Sequence, residues 1–191
     1  MKHYTIYKHE TAAPEALPVF DATTEKRGFV PNVYAVYGGT PNALNGFAAL
    51  TAGFTNGTLT PAEREVVLLT TSIHNQCRYC VAGHTYYAKE TDLGIENIVA
   101  LREGYELKDR KLQALRRFAK ALAEKRGRDS QPEYDAFLKV GYSHEQALEV
   151  IQGVAMKTLS NMTASLLKLP LDAPFVPYAW SPNSRPHLKA A

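Results

Sequence analysis

Apolar residues recur at helical spacing along most of this chain, and no stretch of useful length alternates between apolar and polar residues as a half-buried strand would. Within residues 42–54 the apolar positions with this spacing are Leu44, Phe47 and Leu50. Within residues 109–125 they are Leu112, Leu115, Phe118, Ala119 and Leu122, which share one helical face. The pattern predicts an all-α fold.

Three short sequences have the residues that typically begin a helix. In Thr60-Pro61-Ala62-Glu63, the threonine can cap, the proline fits the first helical position, and Glu63 can reach back to complete a capping box. The other two starts are Ser130-Gln131-Pro132-Glu133 and Ser143-His144-Glu145-Gln146.

Two consecutive helices are predicted in the second quarter of the chain. The first is largely buried, because an apolar run covers residues 66–69, and it ends near Asn75, since Asn tolerates a left-handed conformation at a helix end. The second begins just before Cys77 and continues to about Lys89. After a break at Gly94, a further short helix is predicted over residues 95–103.

The two ends of the chain differ from its middle. Residues 1–40 combine Pro, Gly and Tyr and predict an irregular N-terminal arm with one helix. From Pro170 onward five prolines rule out a regular helix. The aromatic residues of this Pro-rich C-terminal tail are Phe175, Tyr178 and Trp180. We expect them to pack on their own domain rather than on a neighbouring subunit.

Length and composition favour one globular domain. A chain of 191 residues with 45% apolar residues can bury a substantial core. We expect a single domain over residues 1–191, with a core at about 32–169 and a tail at 170–191. The net charge of +3 is mild and its densest basic patch, within residues 116–128, is typical of a solvated helix face, which argues against nucleic-acid binding.

The expected location is the cytoplasm. The first twenty residues lack the apolar region of a signal peptide, and no run of about 18 apolar residues suggests a membrane span. A structural disulfide is not expected in a reducing compartment. A close cysteine pair there is typical of redox work or metal binding.

The candidate site consists of Glu65, Cys77, Cys80 and His84, which include both cysteines of the protein. Cys77, Cys80 and His84 are spaced three and four residues apart, so they should share one face of a helix. This spacing also allows the two cysteines to form a disulfide, and the unpaired N–H groups at a helix start favour a thiolate.

The neighbouring residues suggest how the thiols would work. His84 is placed to exchange a proton with Cys80, and Glu65 could orient His84 or hold a water. Glu63 is an equal candidate by position, but its capping role favours Glu65. Tyr79 is more typical of packing than of a hydrogen bond to the site. Asn161 could pair with backbone or line a subunit contact, and both interpretations stay open.

Two alternatives need no catalysis. The two sulfurs, the imidazole and the carboxylate together form a ligand set that zinc accepts, although structural zinc sites usually have a second pair of closely spaced cysteines. Two buried, inert cysteines are the other alternative, since free Cys packs well in cores.

The spacing Glu65-x11-Cys77-x2-Cys80-x3-His84 resembles the active-site motif of the AhpD-like alkylhydroperoxidases of the carboxymuconolactone decarboxylase superfamily. The run NQCRYCVAGH resembles the peroxidase-related branch, and the similarity extends over about residues 32–167. The resemblance implies an AhpD-like helical bundle, a dimer or trimer-based homo-oligomer, and thiol chemistry without a cofactor or metal.

The resemblance also implies roles for the four residues. Cys80 would be the peroxidatic cysteine and Cys77 the resolving one, with Glu65 and His84 as the proton relay. A hydroperoxide would be the substrate, and a dithiol or protein would be the reductant.

One departure from the family pattern concerns Tyr79, which stands where well-studied members have a second histidine. A shorter relay is therefore expected, with weaker peroxidase activity or another substrate. The alternative functions are a zinc- or redox-stabilised oligomeric module without peroxidase activity and a carboxymuconolactone decarboxylase-like lyase.

Overall fold

The structure is a computed structural model that describes residues 4–182 of the chain. Its elements are helical, and no strand occurs between these two residues. The α-helices are α1 (Leu17–Arg27), α2 (Asn32–Ala35), α3 (Pro41–Thr55), α4 (Pro61–His74), α5 (Arg78–Ala88), α6 (Ile95–Glu103), α7 (Arg110–Lys125), α8 (Gln131–Lys139) and α9 (His144–Leu166). Two short 3-10 segments, Pro14–Ala16 and Ala173–Tyr178, lie near the ends. The predicted all-α fold is confirmed.

The sequence signals for helix starts are local, and the two capping boxes form as predicted. The Thr60 side chain accepts from the backbone N–H of Glu63, whose carboxylate accepts in return from the N–H of Thr60. Ser143 and Gln146 make the same pair of bonds at the start of α9. Each box satisfies donors that the first turn of a helix leaves without a partner.

The helix α4 lies at the centre of the fold. It packs against α5, α7 and α9, and its residues 66–72 are all buried. A helix that is apolar on nearly all sides is stable only when surrounded in this way. Because α4 contacts both α5 and α9, side chains from all three helices can meet at one place.

The N-terminal segment contains the one regular helix that was predicted, α1, together with two further short helical turns. Its side chains Phe20, Val33 and Tyr34 belong to the core. The N-terminal segment therefore packs against the rest of the domain and contributes to its core.

The C-terminal tail packs on its own domain, as predicted, as far as residue 182. Its segment Ala173–Tyr178 lies against α5, with Phe175 buried and Tyr178 and Trp180 packed on the core. Arg102 donates to the carbonyl oxygens of Tyr178 and Ala179 at 3.1 and 3.2 Å. The remainder of the predicted tail lies outside the described residues. None of the helices between residues 4 and 182 is long and apolar enough to cross a bilayer.

Candidate functional site

Two glutamates near the start of α4, Glu63 and Glu65, have different partners. Glu63 is committed to the helix cap, to the hydroxyl of Tyr142 at 2.8 Å and to Lys111 at 3.3 Å. Glu65, two residues on, is free of these contacts and reaches the ring of His84, with 2.9 Å between Oε2 and Nδ1. The structure thus brings Glu65, and not Glu63, to the predicted partner.

The turn between α4 and α5 positions the two cysteines. Helix α5 begins at Arg78, so the predicted start before Cys77 is wrong by a small margin: Cys77 is the N-cap, and its Sγ accepts from the N–H of Cys80 at 3.4 Å. The left-handed residue is Gln76 (φ 53°) rather than Asn75, whose φ is −77°. The turn that ends α4 thereby places both thiols in the interior, where Cys77 is 1% exposed and Cys80 is 3% exposed.

The imidazole of His84 lies between the carboxylate of Glu65 and the ammonium of Lys157. Its Nδ1 is 2.9 Å from Glu65, and its Nε2 is 2.7 Å from the Nζ of Lys157. An ammonium can only donate, so Nε2 accepts from Lys157 and Nδ1 carries the proton that is donated to Glu65. Burial and the charge of Lys157 lower the pKa of His84, which favours this neutral form.

Lys157 is the functional candidate that sequence reasoning missed. It lies on α9, is 5% exposed and points to the core side of that helix together with Val150, Val154 and Asn161. A signal was present in the sequence, because Lys157 shares helical spacing with those residues. A buried lysine requires a partner, and here the partner is the imidazole of His84.

The thiol of Cys80 is poised to ionise. Burial disfavours its thiolate, but a hydrogen bond from Cys77, the positive charge of Lys157 and the nearby His84 outweigh burial and lower the pKa of Cys80 to about 5. The pKa of Cys77 is raised, because its proton is donated to Cys80 and because it too is buried. One thiolate and one thiol result, which is the arrangement that a nucleophile with a resolving partner requires.

Asn161 lies inside the domain, where its hydrogen-bond partners are side chains rather than the backbone. Asn161 is buried, pairs with Asn75 at 2.9 Å and Ser72 at 3.3 Å, and also stabilises the Cys80 thiolate through a hydrogen bond. It therefore belongs to the site rather than to a surface contact. No hydrogen bond joins His84 directly to Cys80 within residues 4–182. Lys157 instead contacts His84 through a hydrogen bond and influences Cys80 through its charge.

Tyr79 has a structural contact outside the relay. Its hydroxyl donates to Asp172 and accepts from the N–H of Val33 at 3.3 Å, and its ring packs on Phe175. Asp172 also accepts from the backbone N–H of Asn32. Tyr79 thus ties the N-terminal segment and the C-terminal tail to α5, in agreement with the packing role expected of it.

A cavity of about 410 Å³ opens onto these groups. Cys80, His84, Glu65 and Lys157 line it, whereas Cys77 does not. Its other walls include seven aromatic side chains, from Tyr34, Phe47, Phe54, Tyr79, Tyr86, Tyr87 and Phe175. A cavity of this size and character suits a small, mainly apolar ligand.

The four predicted site residues do not form a metal centre. Among residues 4–182, no group of three or more His, Cys, Asp or Glu side chains is arranged to hold a metal ion. Both ring nitrogens of His84 are already engaged by Glu65 and Lys157, so neither faces the thiols as a ligand.

One segment of the chain is similar to a known protein family. Residues 48–121 match the profile of the carboxymuconolactone decarboxylase family, and this segment contains all four predicted site residues. The matched segment is less than half of the chain, and it lies within an all-α fold that is AhpD-like. Lys157 lies outside the matched segment. No curated protein matches the chain.

Solved structures share the fold over nearly the whole chain. An AhpD-core, peroxidase-related protein from Ralstonia eutropha JMP134 is 23% identical, with a TM-score of 0.78 over 90% of this chain and 93% of that one. The debrominase Bmp8 in complex with 2,3,4-tribromopyrrole is 18% identical, with a TM-score of 0.78 over 92% and 94%. A peroxidase-related protein from Silicibacter sp. TM1040 is 21% identical, with a TM-score of 0.75 over 91% and 95%.

Proposed function

We propose that this AhpD-like protein is a thiol-dependent hydroperoxidase, with Cys80 as the peroxidatic cysteine. The observation that carries the proposal is the environment of Cys80: this residue lines the cavity, and the surrounding charges and hydrogen bonds lower the pKa of its thiol to about 5. A thiolate at neutral pH that a small molecule can reach is the first requirement for attack on a peroxide bond.

The first step is the attack of the Cys80 thiolate on the terminal oxygen of a hydroperoxide. The O–O bond breaks, the sulfur is oxidised to a sulfenic acid, and the alkoxide leaves with the electron pair of that bond. Lys157 lines the cavity and donates to Nε2 of His84, so its ammonium can protonate the alkoxide to an alcohol. Glu65 holds the imidazole in the orientation that this contact requires.

The second step uses Cys77. Its thiol attacks the sulfur of the Cys80 sulfenic acid, and water leaves as the disulfide forms. Cys77 does not line the cavity, which fits a resolving rather than a peroxidatic role. A dithiol or protein reductant then attacks the Cys80 sulfur from the cavity and returns both cysteines to thiols, so the cycle uses no further cofactor.

The proposed setting is a homo-oligomer in the cytoplasm. Helix α9 exposes a row of large apolar side chains, Leu148, Ile151, Met162 and Leu166, the last of them 81% exposed. Such a row on a single helix face is typical of a subunit contact. Light scattering of the wild type and of a Met162→Glu, Leu166→Glu variant measures the assembly: we expect the variant to dissociate, and a monomeric wild type would contradict this part of the proposal.

The peroxidase proposal is tested by steady-state consumption of cumene hydroperoxide with a dithiol reductant. Cys80→Ser should abolish consumption, because the hydroxyl of serine stays protonated and cannot attack. Cys77→Ser, the matched control, should retain one rapid turnover when peroxide is added without reductant. The proposal fails if Cys80→Ser consumes peroxide at the rate of the wild type.

A second candidate is reductive removal of halogen from a small aromatic ring. The debrominase neighbour and the aromatic walls of the cavity favour it. The Cys80 thiolate would take the halogen from the ring carbon as that carbon gains a proton, and Cys77 would then displace halide as the disulfide forms. Release of bromide from 2,3,4-tribromopyrrole, measured beside peroxide consumption under the same reductant, decides between the two activities.

The remaining alternatives do not use a redox cycle. Since the matched family takes its name from a decarboxylase, a lyase that uses the same cavity stays a hypothesis, and activity that survives in a Cys77→Ala, Cys80→Ala variant would favour it.

A zinc-stabilised module would require stoichiometric zinc in protein purified without chelators, bound through both thiols.

A further inference from the structure

The wall of the cavity that α1 provides holds a cation without an anionic partner. Arg27, the last residue of α1, lines the cavity, and its guanidinium lies 4.5 Å from the centre of the Tyr87 ring and 6.0 Å from that of Tyr34. No carboxylate among residues 4–182 pairs with it. The charge of Glu65 attracts Arg27 at longer range, but the Oε2 atom of Glu65 is hydrogen-bonded to His84.

A donor without an acceptor lies beside this cation. The hydroxyl of Tyr87 is buried and lines the same cavity. Its oxygen lies close enough to Arg27 to interact with the guanidinium through charge and hydrogen bonding, but a guanidinium can only donate, so the O–H proton of Tyr87 has no acceptor. A buried polar group left unpaired costs free energy, so such an atom in a binding cavity is a natural contact for a ligand. Arg27 and Tyr87 together offer a guanidinium and an O–H donor to one acceptor.

The overall charge of the cavity has the same sign. Four cationic side chains line it, Lys26, Arg27, Arg64 and Lys157, against three anions, the carboxylates of Glu65 and Glu90 and the Cys80 thiolate. Of the carboxylates, Glu65 is held by His84 and Glu90 is exposed to solvent. An anionic group on an apolar body would therefore be attracted to the cavity and would find Arg27 available.

We propose that Arg27 and Tyr87 bind the carboxylate of an organic acid whose apolar body lies against the aromatic walls, and that the substrate of Cys80 is a hydroperoxide bearing such a carboxylate. The second clause rests on the proposed peroxidase function, whereas the first does not. Guanidinium and carboxylate pair through two parallel hydrogen bonds, which fixes the ligand in orientation as well as in place. The distal end of the molecule then extends toward Cys80. The carboxylate is unchanged in the reaction, in which the hydroperoxide becomes an alcohol and Cys80 a sulfenic acid.

The binding clause is tested by calorimetry with 4-tert-butylbenzoate and its neutral isostere 4-tert-butylbenzamide. In the wild type and in Cys80→Ser, we expect the benzoate to bind roughly 10- to 100-fold more tightly than the amide, the range for a hydrogen bond to a charged group. Arg27→Gln should remove this preference, Arg27→Lys should retain part of it, and Tyr87→Phe should reduce it by a smaller factor. Arg110→Gln changes the same charge on an exposed residue away from the cavity and should leave it intact.

The kinetic clause is tested with two hydroperoxides, cumene hydroperoxide and its ring-carboxylated analogue. Arg27→Gln should raise KM for the carboxylated substrate, relative to KM for cumene hydroperoxide, by a similar factor, whereas Arg110→Gln should leave this ratio unchanged. Equal binding of benzoate and benzamide, or a preference that persists in Arg27→Gln, overturns the carboxylate subsite. Tight benzoate binding by a protein that consumes neither hydroperoxide supports the subsite and overturns the peroxidase function, so the two failures are distinguishable.

Discussion

Replacing Lys157 by methionine removes the cation that contacts His84 and whose charge lowers the pKa of Cys80. The side chains are similar in length, and the hydrogen-bond partner of Lys157 is a neutral imidazole rather than a buried carboxylate that would be left uncompensated, so we expect the fold to persist. A buried opposite charge near a thiolate lowers its pKa by about 1–3. Without Lys157, the pKa of Cys80 should therefore rise from about 5 to roughly 6–8.

The shift in the pKa of Cys80 is measured from the pH profile of its reaction rate rather than from the rate at one pH. With a pKa of about 5, Cys80 is ~99% thiolate at pH 7, and with a pKa near 8 it would be only ~10% thiolate. However, a thiolate of higher pKa is intrinsically more nucleophilic, with a Brønsted slope of about 0.4–0.5. The two effects partly cancel near neutral pH. The midpoint should move upward, and the plateau at high pH should be higher in the variant.

The assay is the rate of alkylation by iodoacetamide as a function of pH, followed by peptide mass spectrometry. Trypsin cleaves after Arg78, so Cys77 and Cys80 fall on different peptides and each rate is assigned directly. Lys120→Met, which removes an exposed lysine from α7, is the matched control and should keep the wild-type midpoint. An unchanged midpoint in Lys157→Met, with an unchanged circular dichroism spectrum, would refute the assigned role of Lys157.

Three further outcomes are expected. Cys77→Ala should leave a sulfenic acid on Cys80 that dimedone traps after one equivalent of peroxide, and a disulfide-free second turnover at the full rate would contradict the resolving role. Glu65→Gln keeps an acceptor for the imidazole but removes its charge, and should lower kcat/KM for peroxide by roughly 10- to 100-fold with little change in melting temperature; an unchanged kcat/KM would argue against the relay. Asp172→Ala should destabilise the fold by about 1–3 kcal/mol, measured by denaturant unfolding, because the buried hydroxyl of Tyr79 loses its acceptor; unaltered stability would contradict this anchoring role.

The sequence predicted what depends on neighbouring residues. The caps at Thr60 and Ser143 are signals within one turn, and both formed. The pairing of Glu65 with His84 was also predicted, because their helices are consecutive and the capping task of Glu63 left Glu65 free. The left-handed turn residue was misplaced by one position, since Asn75 and Gln76 are both polar and only the packed turn distinguishes them.

Contacts between distant segments could not be predicted in the same way. Lys157 meets His84 across 73 residues, and Tyr79 meets Asp172 across 93. No periodicity within either segment specifies such a pairing. Arg27 follows the same pattern, since nothing in the residues around it points to Tyr87. The proposed chemistry therefore combines a local motif with groups that only the packing of α1 and α9 brings to it.

The most direct test of the central claim is a single turnover of the reduced wild type with one equivalent of cumene hydroperoxide, followed by mass spectrometry without reductant. The account predicts one equivalent of alcohol, a protein lighter by two hydrogens, and tryptic peptides 65–78 and 79–89 joined by a disulfide between Cys77 and Cys80. Intact hydroperoxide together with two thiols that still react with iodoacetamide would contradict it.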